Sequence, residues 1–184
     1  MLRVIAGSAR NLKLKSLEGL DTRPTLDRIK ETLFNILQTE TYGSVVVDFF
    51  AGTGSLGIES LSRGAKKAYF VDNSSAAIKI ITENVKHTGF EDKAVILKED
   101  ATSSVFRIFE KHVDMIFIDP PYDNDLEKPL LKQLSTASFT DKETIFVVEA
   151  SLNTSFDYVS DFGYTIYREK KYKTNKHVFL RLEK

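Results

Sequence analysis

Short apolar runs alternating with stretches of helical periodicity constrain this chain more than any other feature. The runs read VVVDFF (45–50), AYFVD (68–72), AVILKED (94–100), VDMIFID (113–119) and TIFVVEA (144–150). Between them lie a helical stretch from about Ser55 to Arg63, another from about Ser74 to His87, a short piece ending near Glu110 and one over 126–135. Apolar runs this short, bounded by Gly, Asp and Pro, fit strands covered on both faces, and the helix between each pair is the crossover that parallel strands need. The expected fold is therefore α/β, an open, doubly wound, mostly parallel sheet.

The two ends depart from that alternation. In the tail, GYTIYREKKYKTNKHVFLRLEK, β-like runs at 164–172 and 177–182 meet around Thr174-Asn175 with no helix between, which predicts an antiparallel hairpin at the sheet edge. Near the other end, RPTLDRIKETLFNILQ sets Leu26, Ile29, Leu33, Ile36 and Leu37 on one face behind a start signal at Pro24-Thr25. That is an amphipathic helix laid on the core, with a small β-hairpin before it. A length of 184 residues suits one domain, 1–184, in which an extension (1–40) packs on a core (41–184).

Charge and residue usage narrow the function classes. No stretch approaches the roughly 18 uncharged apolar residues of a membrane span, and MLRVIAGSAR is too short an apolar run for a secretory leader, so a cytoplasmic protein is expected. The chain has no cysteine, which removes disulfides and thiolate metal sites. His87, His112 and His177 lie far apart and read as solvated or structural histidines, so no metal is expected. The 26 basic and 26 acidic residues cancel, yet they are spread unevenly. Arg3, Arg10, Lys13, Lys15, Arg23, Arg28 and Lys30 crowd the first thirty residues, and Arg168, Lys170, Lys171, Lys173, Lys176, Arg181 and Lys184 crowd the tail. Such ends can follow a phosphate backbone, or can be the solvated faces of hairpins.

The first central run leads into DFFAGTGSLGIES. Asp48 ends the strand, and Gly52, Gly54 and Gly57 form a G-x-G-x-x-G turn into a helix, which permits close backbone approach to a ligand at a helix N-terminus. Asp72 ends the second run 24 residues after Asp48, where a carboxylate can accept both hydroxyls of a ribose or cap the next helix. Asp100 ends the third run, placed to accept from an adenine amino group or to cap the helix at Ala101. Dinucleotides and S-adenosylmethionine both fit these features.

The fourth run ends in DPPY. Pro120 and Pro121 have no N–H, so the turn offers acceptors, the Asp119 carboxylate and nearby carbonyls, and few donors. Tyr122 adds a ring that can stack on a base. An exocyclic amine is a poor nucleophile because its lone pair is delocalised. Acceptors at Asp119 and the Pro120 carbonyl can draw on its hydrogens and aim that lone pair at a methyl donor. Hydride transfer needs no such arrangement.

With these motifs the sequence resembles the Rossmann-like, S-adenosylmethionine-dependent amino methyltransferases, and within them the RsmD family of 16S rRNA guanine-N2 methyltransferases. The resemblance is carried by VIAGSARNLKL (4–14), RPTLDRIKETLFNIL (23–37), DFFAGTGSLGIESLSRGA (48–65) and FIDPPY (117–122). It implies cofactor contacts at Asp48, Phe50, Ala51, Gly52, Gly54, Asp72, Asn73, Asp100, Ala101 and Asp119. It implies catalytic roles for Asp119, Pro120, Pro121 and Tyr122 around the amine. The family often has Glu where Asp72 stands, which keeps the carboxylate and shortens its reach. The implied partner is 16S rRNA in the small subunit or its late assembly intermediate, with Arg10, Arg23, Arg28, Lys170, Lys171 and Lys173 as candidates for RNA phosphates or for shaping the pocket, on a monomer. An adenine-N6 methyltransferase, a non-catalytic RNA-binding or assembly module and a dinucleotide-dependent oxidoreductase stay open beside it.

Overall fold

The computed structural model describes residues 2–16, 24–121 and 125–183, and side chains of the first helix from Asp27 onward. The strands are β1 (Val45–Phe49), β2 (Lys67–Asp72), β3 (Ala94–Lys98), β4 (Met115–Ile118), β5 (Ile145–Ser151), β6 (Tyr164–Lys171) and β7 (Asn175–Leu182). The helices are α1 (Pro24–Ile36), α2 (Ser55–Ser62), α3 (Ser75–Thr88), α4 (Ala101–Ser104) and α5 (Glu127–Leu134). They build one sheet in the order β3-β2-β1-β4-β5-β7-β6. The first five strands pair in parallel, while β7 runs antiparallel to both β5 and β6. Chain direction thus reverses its march across the sheet between β1 and β4, the switch point at which open α/β sheets bind ligands.

Side-chain alternation divides the core. Val46, Phe70, Met115, Phe117, Val147 and Phe179 face one side, where they pack with Leu33, Phe34, Ile58 and Ile81 of α1, α2 and α3. Val47, Ile116, Ile118, Val148 and Leu180 face the other, against Val105, Leu130, Leu131, Leu134 and Phe156. Every residue of β1 and β4 is buried, as a strand covered on both faces requires.

Two expected elements come out shorter. β3 stops at Lys98 because Asp100 leaves the ladder to accept the Thr102 N–H (2.9 Å) and open α4. The helical piece expected up to Glu110 is a single α turn and a 3-10 turn over Val105–Arg107. At the tail, β7 begins two residues earlier than the periodicity predicts, since Asn175 pairs with Ser151 of β5 and the turn closes over 172–174.

The N-terminal hairpin is present, with Val4 and Leu12, Asn11 and Val4, and Leu14 and Leu2 exchanging backbone hydrogen bonds of 2.9–3.0 Å. Its buried Leu2, Val4, Ala9 and Leu14 belong to the same apolar cluster as α1 and the sheet. A polar hub locks it there. The Glu59 carboxylate, fully buried in α2, accepts from the backbone N–H of Ile5 (2.8 Å) and Ala6 (3.0 Å) and from Arg63 Nε (2.8 Å). Lys30 Nζ of α1 donates to the Arg3 carbonyl at 2.7 Å and lies 3.5 Å from Glu59. Of the α1 apolar face, Leu33 and Leu37 are buried, Ile29 and Ile36 partly so, and Leu26 lies outside the side chains described.

Candidate active site

Strand register gathers the predicted acids along one edge. Asp48 pairs with Phe70 of β2 and Phe117 of β4. Asp72 and Asp119, each two residues further, therefore share its face, because side chains repeat every second residue. Ile118 pairs with Val148, so Asp119 stands beside Glu149 of β5, and Glu149 in turn faces His177 of β7.

The glycine turn is held by two of these acids. Asp48 Oδ2 accepts the Gly57 N–H at 3.1 Å, and Asp72 Oδ2 accepts the Gly52 N–H at 2.9 Å. Asp72 Oδ1 also accepts the Ser74 N–H at 2.8 Å, while the cap on α3 is Ser74 itself, whose hydroxyl accepts the Ala77 N–H at 3.4 Å. Phe50 adopts a left-handed φ of 63°, unusual for a bulky residue and typical of strain kept at functional loops. A Cβ placed on Gly52 would meet only the Phe50 carbonyl, at 3.9 Å, so the turn's outer side has room for a ligand. Gly57 is needed for packing instead: a Cβ there would sit 2.3 Å from the Phe70 ring.

Electrostatics at this edge favour bound protons. Burial pushes the Asp48 carboxyl up to about 7, against the opposing Gly57 hydrogen bond and with help from Asp72. Asp119 is raised well above an ordinary carboxylate, first by burial, then by the charges of Glu149 and Asp48. Asp100 is different. The Thr102 hydroxyl (2.6 Å) and N–H hold its carboxylate below the usual range, so here the capping arrangement is realised.

The remaining predicted residues are placed as follows. Ala51 and Ala101 are buried and Asn73 is exposed at the ends of β1, β3 and β2. Pro120 is buried and Pro121 exposed, directly after β4, whereas Tyr122 and Arg23 lie outside the described residues. Lys170 pairs with His177, and Lys171 with Lys176, so with Lys173 in the following turn they stand, exposed, at the edge that carries Glu149. Arg28 is exposed on α1. Arg10 is not brought to the others: its hairpin abuts Ser62 at the far end of α2, through Ser8 N–H to the Ser62 carbonyl at 2.8 Å. The eight residues of α2 put that contact about 12 Å from the glycine turn at 1.5 Å per residue.

Sequence reasoning passed over Glu149 and His177. Glu149 near the end of β5 follows the same rule as the other strand-end acids, so the fifth run carried the signal. His177 is buried at 2% exposure, with Nε2 3.0 Å from Glu149 and Nδ1 3.1 Å from the Tyr172 hydroxyl. Among the described residues no group of three or more His, Asp or Glu side chains could hold a metal ion, and no helix is long and apolar enough to cross a membrane.

Comparisons with known proteins place this arrangement. The family model described as "Conserved hypothetical protein 95" matches residues 2–181. Ribosomal RNA small subunit methyltransferase D of Haemophilus influenzae is 32% identical, over 92% of this chain and 88% of that protein. The enzyme of that name from Escherichia coli K12 is 30% identical, over 92% of this chain and 84% of that one. The solved structure of yhhF from Escherichia coli superposes with a TM-score of 0.85 at 29% identity, covering 99% of this chain and 98% of its own. The sheet order, the antiparallel β5-β7-β6 end and these neighbours make the fold that of the class I methyltransferases. The chain belongs to the matched family, the RsmD family of methyltransferases.

Proposed function

We propose that the chain transfers a methyl group from S-adenosylmethionine to the exocyclic N2 amine of one guanine in 16S rRNA, within the small subunit or a late assembly intermediate. The observation that carries this reading is the position of Asp119: a half-buried acceptor directly after β4, followed by two prolines, on the same sheet face as the turn that Asp48 and Asp72 hold. Relatives of this chain carry the name ribosomal RNA small subunit methyltransferase D.

The residues fit the cofactor. Gly52 leaves open space for it, and the Asp72 carboxylate retains lone pairs for ribose hydroxyls beyond the two backbone donors it already serves. Bound there, S-adenosylmethionine supplies an electrophilic sulfonium methyl. Asp119 accepts an N2 hydrogen of the target base, and the donor favours its ionised form. With the amine held, its lone pair is aimed at the methyl carbon, and the gain comes from alignment. On methylation the amine nitrogen would have to lose a proton. Asp119, whose site favours a proton, is placed to take it.

Incubation with labelled S-adenosylmethionine and small subunits from a strain lacking the enzyme tests the reading. Nucleoside digestion is expected to show label in N2-methylguanosine, with Asp119→Ala abolishing it while S-adenosylhomocysteine still binds. Label only in adenine, or only in DNA, would reject it.

A further inference from the structure

The turn after β4 has a second side. Pro120 and Pro121 line a cavity of about 390 Å³ together with Asp125, Glu127, Lys128 and Tyr158, whereas neither Asp119 nor any residue of the glycine turn lines it. Whatever fills this space therefore sits beside the group whose amine meets Asp119, across the two prolines. The volume is that of a single base or nucleoside.

Two polar groups of the cavity are left unused by the fold. Glu127, the first residue of α5, is 5% exposed, and among the described residues its carboxylate has no hydrogen bond and no ion pair. A buried acid without a partner costs stability, and such groups persist where function uses them. The Tyr158 hydroxyl is buried without a hydrogen-bond partner. Burial, and then the charges of Glu127 and Asp125, push its proton affinity up, so it stays a donor in the surroundings of both acids. Buried polar groups left unpaired are rare in folded proteins, and two on one cavity point to a ligand.

The lining also sets the chemistry of that ligand. Three acids, Asp125, Glu127 and Glu149, stand against one cation, Lys128, whose Nζ lies 4.9 Å from the centre of the Tyr158 ring. That balance repels a free phosphate and favours N–H donors. With the target amine on the other side of the same turn, the next base along the strand is the N–H donor that arrives with it. We propose that this cavity holds the base adjacent to the target guanine, with Glu127 accepting an N–H of that base and Tyr158 donating to a carbonyl or ring nitrogen. This rests on the reading that the site methylates a guanine in RNA. Two consecutive bases splayed to either side of Pro120-Pro121 are unstacked from each other, as a site that modifies a base requires.

The test compares small subunits assembled with intact RNA and with RNA lacking one base, either 5′ or 3′ of the methylated guanine. For the wild type, loss of the base on one of the two sides should raise KM on the order of 10- to 100-fold, as loss of a hydrogen bond to a charged group does, with kcat changed far less. Glu127→Gln should raise KM for intact RNA about tenfold and shrink the penalty of the missing base to within about threefold. Tyr158→Phe removes only an unpartnered hydroxyl and should act in the same direction, by about fivefold. Neutralising a buried, unpaired acid should leave the melting temperature unchanged or raise it, which loss of a structural contact would not do. Missing bases without effect on either side, or variants that keep the full wild-type penalty, overturn the subsite and leave guanine methylation standing. A melting temperature that falls in Glu127→Gln while KM stays unchanged assigns that residue to the fold and overturns it too. A wild type that methylates no guanine overturns both readings.

Discussion

The ammonium of Lys30 on α1 lies 3.5 Å from the carboxylate of Glu59 on α2, with 6% and 0% of the two side chains exposed. Burial lowers the lysine's proton affinity, and the Glu59 charge restores part of it. With the Ile5 and Ala6 amides and Arg63 on the same carboxylate, this pair fastens the N-terminal hairpin, α1 and α2 together. Two motifs that are distant in sequence, RPTLDRIKETLFN and GIESLSRGA, are thereby one structural unit.

Removing one partner of such a hub leaves the other charge buried. Glu59→Ala should cost about 3–5 kcal/mol, and Lys30→Met somewhat less because Arg63 remains. Chemical denaturation measures the loss, and hydrogen exchange at the Ile5 and Ala6 amides should rise first.

Gly57 packs under Phe70, where an added Cβ would come within 2.3 Å of the ring. Gly57→Ala should destabilise by about 1–3 kcal/mol through overpacking, and pairing it with Phe70→Leu should recover part of the loss. A double-mutant cycle on melting curves checks the coupling.

Asp72 joins Gly52 and Ser74, so Asp72→Ala frees the turn as well as removing the carboxylate proposed to hold a ribose. Affinity for S-adenosylhomocysteine should fall on the order of 100-fold, two good hydrogen bonds to a charged group. Calorimetric titration reads it, and the melting temperature should move far less than the affinity.

Asp48 titrates near 7 when folded and near 3.8 as an unperturbed group. The folded state therefore binds the extra proton between about pH 4 and 7, and stability from this group is full below that window and lost as pH rises through it. Asp48→Asn keeps an acceptor for Gly57 but has nothing to lose. Its melting temperature should gain on the wild type by several degrees between pH 5 and 8, a differential on the order of a few kcal/mol.

Lys170, Lys171 and Lys173 stand at the edge that carries Glu149, whereas Arg10 sits beyond the far end of α2. If the tail cations meet phosphates, each Lys→Ala change should lower the salt slope of small-subunit RNA binding by about 0.7–0.9, and Arg10→Ala should leave it unchanged. Filter binding over a range of salt concentrations distinguishes the two groups.

Much of this molecule is legible in one dimension. Alternation of apolar runs and helical stretches is set by backbone geometry within each segment, so the βαβ order, the tail hairpin and the amphipathic face of α1 follow from local periodicity. The strand-end acids Asp48, Asp72 and Asp119 follow too, since a chain leaving a buried strand meets solvent or ligand there. Asp100 was legible only as two alternatives, and the tertiary structure shows the one that is local, the cap on the short helix at Ala101.

What tertiary structure alone decided concerns neighbours across strands. Asp119 and Glu149 are thirty residues apart, and only the pairing of Ile118 with Val148 sets them side by side. His177 reads as an ordinary histidine until β7 inserts between β5 and β6 and brings it against Glu149. The same holds for Lys30 and Glu59, whose charges look solvated in sequence yet lie inside the protein. Register is the physical reason: which residue lies beside which is a relation between strands, and strands buried on both faces, such as β1 and β4, carry no alternation that fixes it from within.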